Sequence, residues 1–446
     1  MKLKSKINKI PETVNPTLQW DAPTAGGKIR EYWHILGPGL TTGAADDDPS
    51  GIATYSQAGS AYGYQFTWTA LFTFPFMVVV QEMCARIGIV TGRGLAGVIA
   101  RHYSKKILLV LALLLFAANT FNIAANLGVM AKAVQLLVPE ASFALMVVLF
   151  AFISLYLEIF ISYRVYARFL KWAALVLLSY VAAAFLADID WSAAISSLLV
   201  PSLRFDKEGF LILTAILGTT ISPYLFFWQT SQEVEEQILS GKTSIKQRQE
   251  ITTPAEIQHM RADVTFGMLL SNVVMFFIIV LCAGTLYANG ITQITDASDA
   301  ALALKPLAGE FAFFLFGLGI IGTGMLAIPI LAGSSSYALS ESFGWREGLY
   351  RKFKQAHAFY GVIIVSLVLG LALNFFHFDV IKMLIYSAVL NGLIAPLVLV
   401  MIVLISSNGK IMKEWKNHPA AATAGWLVTI LMGLVAAATI GFLIWK

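Results

Sequence analysis

Three consecutive carboxylates, Asp46, Asp47 and Asp48, followed by Pro49, Ser50 and Gly51, interrupt an otherwise apolar stretch at 33–62. A carboxylate at the centre of a hydrocarbon layer costs about 2.5–3.5 kcal/mol. Three neighbours also repel one another unless cations, protons or exposed N–H groups offset them. A second interruption, Gly218-Thr219-Thr220-Ile221-Ser222-Pro223-Tyr224, breaks the apolar stretch at 208–232. Pro49 and Pro223 each remove a backbone donor and disfavour helix in the residue before them, which frees main-chain carbonyls. Carboxylate, hydroxyl and carbonyl oxygens together form a hard donor set suited to Mg²⁺, Ca²⁺ or Mn²⁺. Neither break holds a Met, Cys or His that would favour a softer metal. The competing reading is that the acids cap the half-helix after Pro49, whose N-terminal end favours negative charge, or stand in a wet vestibule without a ligand.

Both breaks need long helices to carry them. The chain has 446 residues, 58% hydrophobic and only 13% charged, with a mean hydropathy of +0.73. A soluble chain carries about a quarter charged residues. Eleven spans are expected, at 33–62, 65–90, 106–136, 142–162, 166–188, 208–232, 262–288, 309–340, 356–376, 380–405 and 421–445. All must be helices, since an open strand in lipid leaves its backbone unpaired. The two breaks fall in the first span of each of two five-span groups, the inverted-repeat plan of transporters. The expected division is a cytoplasmic tail at 1–32, a first repeat at 33–188, an external loop at 189–207, a second repeat at 208–405, and a loop with an eleventh span at 406–446.

Charge sets the orientation. Most of the 31 Lys and Arg fall in the tail and in alternate loops: Arg93, Arg101 and Lys105 after span two, Arg164, Arg168 and Lys171 after span four, Lys242, Lys246 and Arg248 after span six, Arg351 and Lys354 after span eight, Lys410 and Lys413 after span ten. The positive-inside bias places the N-terminus in the cytoplasm and the C-terminus outside, in a multi-pass protein of the plasma membrane. The net charge of +5 therefore reflects topology rather than nucleic-acid binding. No G-x-x-x-x-G-K-[ST] phosphate loop occurs, so no ATP-driven step and no cofactor is expected, and no nucleophile–base set marks an enzyme. The tail has no leader-type apolar core. Cys84 and Cys282 read as small buried hydrophobes.

Further polar residues sit within the spans. Asn119, Asn122 and Asn126 recur at helical spacing and share one face, either lining a pathway or joining helices. Lys132 is expected to extend toward the interface. Glu82, Glu158, Gln229, Gln232, Glu233, Glu235 and Glu236 are expected in a solvated cytoplasmic vestibule. Asn272 and Asn391 are candidates for hydrogen bonds between helices.

Gly37-Pro38-Gly39 through Asp48-Pro49, then Ala85-Arg86-Ile87-Gly88 and Thr91-Gly92-Arg93-Gly94, resembles the Nramp family of divalent-metal transporters. That family has Gly-Pro-Gly, then Asp-Pro-Gly-Asn in its first helix, and a similar segment after its second. Gly333-Ser334-Ser335-Ser336 resembles its small-residue segment in span eight. The resemblance implies a LeuT-type fold and makes Asp48 the metal-binding aspartate, with Thr219 offering its carbonyl. Gly51 stands where the family has an asparagine ligand, and Ser222-Pro223-Tyr224 where it has Met-Pro-His. Ile123 and Asn126 replace acids tied to proton movement. Losing the sulfur ligand resembles the divergent branch that includes magnesium transporters, and the smaller Gly51 and Ser222 would leave room for the waters Mg²⁺ retains.

The resulting expectation is an all-α carrier of a divalent cation, Mg²⁺ or Mn²⁺, working by alternating access without proton coupling. Asp48 leads the site, with Asp47, Asp46, Thr219, Ser222 and Gly51 around it and Tyr224, Asn122 and Asn126 along the pathway. A carrier of a small organic solute and a transport-incompetent sensor or assembly partner are the alternatives. Oligomeric state is left open.

Overall fold

A computed structural model describes residues 37–161, 175–250, 252–376 and 378–444. The N-terminal tail, the basic segment Arg164–Lys171 with the start of the fifth expected span, and Lys446 lie outside the described residues. Among the described residues the structure is helical with no strands. The first span is two half-helices, α1 (Pro38–Asp46) and α2 (Pro49–Tyr62), parted at Asp47–Asp48. There follow α3 (Trp68–Thr91), the short α4 (Leu95–His102), α5 (Lys105–Leu137), α6 (Phe143–Phe160), α7 (Leu178–Leu186) and α8 (Trp191–Leu199). The second broken span is α9 (Lys207–Thr220) and α10 (Pro223–Leu239), parted at Ile221–Ser222. The connector helix α11 (Ile245–Glu250) leads to α12 (Pro254–Thr285), α13 (Ala312–Phe343), α14 (His357–Leu373), α15 (Val380–Ser407), the short α16 (Gly409–Met412) and α17 (Pro419–Ile444). Among the described residues, nine helices are long and apolar enough to cross a membrane.

The helix-breaking chemistry falls where the sequence demands it. Pro49 and Pro223 each occupy the first turn of the second half-helix, where a missing N–H costs nothing. Asp48 is the N-cap of α2, its carboxylate accepting from the Gly51 N–H. The α1 start is capped from another helix: Asp263 of α12 accepts from the Gly37 (3.0 Å), Gly39 (2.7 Å) and Leu40 (3.2 Å) N–H groups. These are the donors a helix N-terminus leaves unpaired.

The broken spans form the centre. Contacts of α5 with α13 and α15, of α9 with α15, and of α12 with α1 and α2 enclose them, and their residues around the breaks are buried. By contrast α6, α14 and α17 expose much of their apolar surface, the surface a bilayer would cover.

Of the residues expected in a solvated vestibule, five are buried, whereas Glu82 and Glu236 are partly exposed. Gln229, Gln232, Glu233 and Glu235 are all buried. Thr42 of α1 donates to Gln229 at 2.5 Å, and Gln229 donates to Glu233 at 2.9 Å. Glu235 accepts from the Tyr337 hydroxyl at 2.6 Å and from the Leu349 and Tyr350 N–H groups. Glu158 is buried as well; Glu82 pairs with Arg86 and Arg261. Gln229 and Glu235 of α10 thus serve as joints, to α1 and to α13 with the loop after it.

In that loop, burial and the nearby Glu341 and Glu235 carboxylates push Glu347 up to about 10, and its Oε2 has no hydrogen-bond partner. The folded chain thus holds a proton there that the unfolded chain loses above its ordinary value. Stability is expected to fall as pH rises from about 5 toward 10. Glu347→Gln should flatten that decline, raising the thermal midpoint more at pH 8 than at pH 5. An equal shift at both pH values would refute the assignment.

Candidate functional site

Where the two breaks face each other, three clusters of polar side chains occupy the centre. The first surrounds Asp48. Its Oδ1 accepts from the Ser50 hydroxyl at 2.5 Å and from the Gly51 N–H at 2.9 Å. Its Oδ2 takes longer bonds from the Asn122 and Asn126 amides, 3.3 and 3.4 Å. Ser387 of α15 donates to the Asn122 Oδ1 at 3.2 Å, which orients that amide. The Asn126 Oδ1 is buried without a partner among the described residues.

The second cluster holds the other two acids. Asp46 and Asp47 turn toward α12, where the Ser271 hydroxyl meets Asp46 Oδ2 at 2.6 Å and Asp47 Oδ1 at 3.3 Å. Asp46 Oδ1 has no partner among the described residues. Successive residues leaving a helix end point in different directions, so the three carboxylates divide between α5 and α12. All three are at most 2% exposed. Among the described residues, no Lys or Arg forms an ion pair with any of them. Three buried acids with only neutral donors around them need a cation or protons to offset them.

The third cluster joins the breaks. Tyr224 donates its hydroxyl to the Ala45 carbonyl at 3.2 Å, and Thr219 donates to the Tyr55 hydroxyl at 3.1 Å. Each phenol thus reaches from one broken span to the other. Ser222 turns its hydroxyl back onto the preceding half-helix α9, within 2.5 Å of the Gly218 carbonyl and 2.7 Å of the Thr219 carbonyl. It satisfies carbonyls that the break leaves open. The Thr219 carbonyl keeps its second lone pair.

Several expectations are refined by this geometry. Asp48, Gly51, Asn122 and Asn126 come together; Asp46 and Asp47 form a separate group. The space expected over Gly51 is filled: a Cβ there would stand 3.1 Å from the Asp46 carbonyl and 3.4 Å from the Tyr55 ring. Tyr55, one turn along α2, closes the gap that the missing side chain leaves. The asparagine row splits between its two readings. Asn119 joins helices, donating to Leu331, Ser334 and Ser335 of α13 at 2.9 Å each, whereas Asn122 and Asn126 face the aspartate. Asn272 accepts from Thr73 of α3 at 3.1 Å, as expected of a joint between helices. Lys132 lies over the Phe143 ring, away from the acids.

Sequence reasoning passed over Ser50, Tyr55, Ser271 and Ser387. Ser50 stood within the motif, and the adjacent pair Ser271-Asn272 in an apolar span was a usable signal. Ser387 is a lone serine in α15, indistinguishable in sequence from a packing residue.

Comparison with known proteins places the chain in a family. A family model described as natural resistance-associated macrophage protein-like, Nramp, matches residues 39–441. The chain belongs to the Nramp family. Over 420 residues it is 26% identical to the divalent metal cation transporter MntH of Caldanaerobacter subterraneus subsp. tengcongensis, covering 92% of this chain and 94% of that one. It is likewise 26% identical over 416 residues to MntH of Klebsiella pneumoniae subsp. pneumoniae, covering 89% and 91%. In three dimensions it resembles a manganese transporter of Eremococcus coleocola with a TM-score of 0.73 at 17% identity, covering 96% of this chain and 90% of that one. It also resembles Mhp1, a nucleobase-cation-symport-1 family transporter, with a TM-score of 0.50 at 15% identity, covering 91% of each chain. The fold is the LeuT-type arrangement of an Nramp protein.

Proposed function

We propose that this Nramp-family chain carries a divalent metal ion across a membrane by alternating access, with Asp48 as principal ligand. The observation that carries the reading is the trio of buried carboxylates at a helix break without a basic partner. A divalent cation supplies the charge that the protein withholds. The relatives' names, divalent metal cation transporter and manganese transporter, agree with it.

The donors around Asp48 suit a small, hard ion. The long bonds from Asn122 and Asn126 are the ones a cation would displace. Rotating either amide turns an oxygen toward the metal, and the Asn126 Oδ1 has no bond to lose. Asp46 and Asp47, grouped apart at Ser271, add negative charge beside the site, and the Thr219 carbonyl offers a further oxygen from the second break. Gly51 gives its N–H to Asp48, while Ser222 and Tyr224 hold the two breaks in register. Such a set favours Mg²⁺ or Mn²⁺ over softer transition metals.

Asn122 and Asn126 are neutral, so no proton need accompany the ion along α5. With the basic loops in the cytoplasm, the membrane potential favours inward movement of a divalent ion by about 4.6 kcal/mol per 100 mV. The proposed reaction is therefore uniport-like, with the metal as substrate, the bilayer as its surroundings and no chemical step.

Isothermal calorimetry on purified, folded protein with Mg²⁺, Mn²⁺, Ca²⁺ and Zn²⁺ tests the reading. Saturable heat is expected for Mg²⁺ or Mn²⁺, and weaker or no heat for Zn²⁺. Absence of binding by all four would overturn the proposal and direct the search to small organic solutes.

A further inference from the structure

Three connectors at the basic end of the molecule, far apart in sequence, converge on one cavity of about 380 Å³. The α3–α4 turn and α4 bring Arg93, Arg101 and His102; α11 brings Lys246; α16 and the residue after it bring Lys410 and Lys413. Among the described residues, no Asp or Glu lines it. The polar remainder, Thr91 and Gln249, is tied into the wall by the Gln249 amide, which donates to the Thr91 carbonyl at 2.8 Å.

A positive-inside bias scatters Lys and Arg over loops, where each finds water or a carboxylate. This group departs from that in two respects. Its carboxylate neighbours stand to one side: Arg93 acts on Glu341, which caps α4 through the Gly97 N–H, and on Glu347, and Lys246 pairs with Glu250 at 3.8 Å at an exposed position, whereas Arg101, Lys410 and Lys413 form no ion pair among the described residues. His102 is also held below its ordinary value, first by partial burial and then by Arg101 and Arg93, since burial and like charge both disfavour the imidazolium.

Lys413 adds an independent sign. It is the one non-glycine among the described residues with positive φ, at φ 52° and ψ −128°. That region is essentially reserved for glycine, and residues held there cluster at ligand clamps. The strained backbone turns the chain from α16 toward α17 with a lysine on the cavity wall.

We propose that this cavity is a binding site for a phosphate-bearing anion, held by Arg93, Arg101, Lys246, Lys410 and Lys413. Arginine supplies a bidentate fork for phosphate oxygens and lysine a mobile point charge. The volume lies within the range of small-ligand pockets. A phosphate seated there ties the end of α3 to the α10–α12 connector and to the α15–α17 connector, so ligand binding stabilises the packing of this end. The phosphate comes either from a soluble phosphorylated compound or from an anionic lipid headgroup, because the lining residues lie on connectors between long apolar helices.

Thermal unfolding of the full chain, stripped of divalent metal with a chelator, distinguishes these sources. In neutral detergent, pyrophosphate at constant ionic strength is expected to raise the midpoint if the ligand is soluble. If it is a headgroup, pyrophosphate has little effect, and discs containing phosphatidylglycerol raise the midpoint relative to phosphatidylcholine discs. In either case Lys246→Glu and Lys410→Glu should lower the apparent affinity about tenfold, whereas Lys354→Glu, exposed outside the cavity, should leave it unchanged. Lys413→Gly should raise the ligand-free midpoint by relieving the backbone, and yet weaken binding. No rise from either source, or equal rises in Lys246→Glu and Lys354→Glu, would overturn the proposal.

Discussion

Replacing Asp48 by asparagine should leave a folded protein whose divalent-cation uptake is lower by about 100-fold or more. The two carboxylate oxygens perform separable tasks. Oδ1 closes the N-terminus of α2 through the Gly51 N–H and the Ser50 hydroxyl, and asparagine caps a helix about as well as aspartate. Oδ2 faces Asn122 and Asn126 and is the oxygen proposed to meet the metal, where the lost charge matters. A contact between opposite charges at about 4 Å is worth roughly 4 kcal/mol at an intermediate dielectric, so the loss of 100-fold is a conservative expectation. Asp48→Ala removes both tasks and should add a stability loss of about 1 kcal/mol. Ser50→Ala should cost stability of similar size while retaining most uptake. Reconstituted vesicles with an internal Mg²⁺- or Mn²⁺-sensitive dye measure the rate, and thermal unfolding measures the cap. Wild-type uptake by Asp48→Asn would reduce Asp48 to a helix cap and remove it from the transport reading.

How far this could be read from residues alone depended on whether the physics was local. The helix breaks were legible because proline and consecutive acids act on their immediate backbone: Pro49 and Pro223 sit in the first turn of the second half-helices as expected. The apolar stretches likewise marked the long helices, because length and hydropathy suffice. Side-chain partnerships were not legible. Asp46, Asp47 and Asp48 are equivalent in sequence, and only the positions of α5 and α12 decide which acid meets asparagine and which meets Ser271. The polar face of α10 suggested a solvated vestibule, yet Gln229 and Glu235 are spent on α1 and on the loop after α13. Composition reports that such groups need partners, and not whether those partners are water or protein. Gly51 shows the same limit, since a missing side chain signals space only until a neighbour such as Tyr55 fills it.

Gly43→Val should destabilise the protein by about 3 kcal/mol or more, the upper range for overpacking, because two backbones meet there. Gly39 and Gly43 lie one turn apart on α1 and face Gly267 of α12. A Cβ on Gly43 would run into the Gly267 carbonyl, and one on Gly39 would come within 2.6 Å of the Val264 nitrogen. Small residues at such spacing let membrane helices approach closely enough for van der Waals packing. The closeness also supports polar contacts. Asp263 reaches the N–H groups of Gly37, Gly39 and Leu40, and Ser271 reaches Asp46, only while α1 lies flat on α12. A valine that lifts α1 therefore loses packing and leaves a helix N-terminus and a carboxylate unsatisfied together. Gly433→Val is the matched control, since a Cβ at Gly433 of α17 meets nothing within 4 Å. Its midpoint should stay close to the wild type, while that of Gly43→Val falls and metal binding weakens with it. Equal midpoints for the two variants would mean that α1 can leave α12 without cost. Asp46 would then have no fixed position beside Ser271, and the division of the three acids between α5 and α12 would not describe the working site.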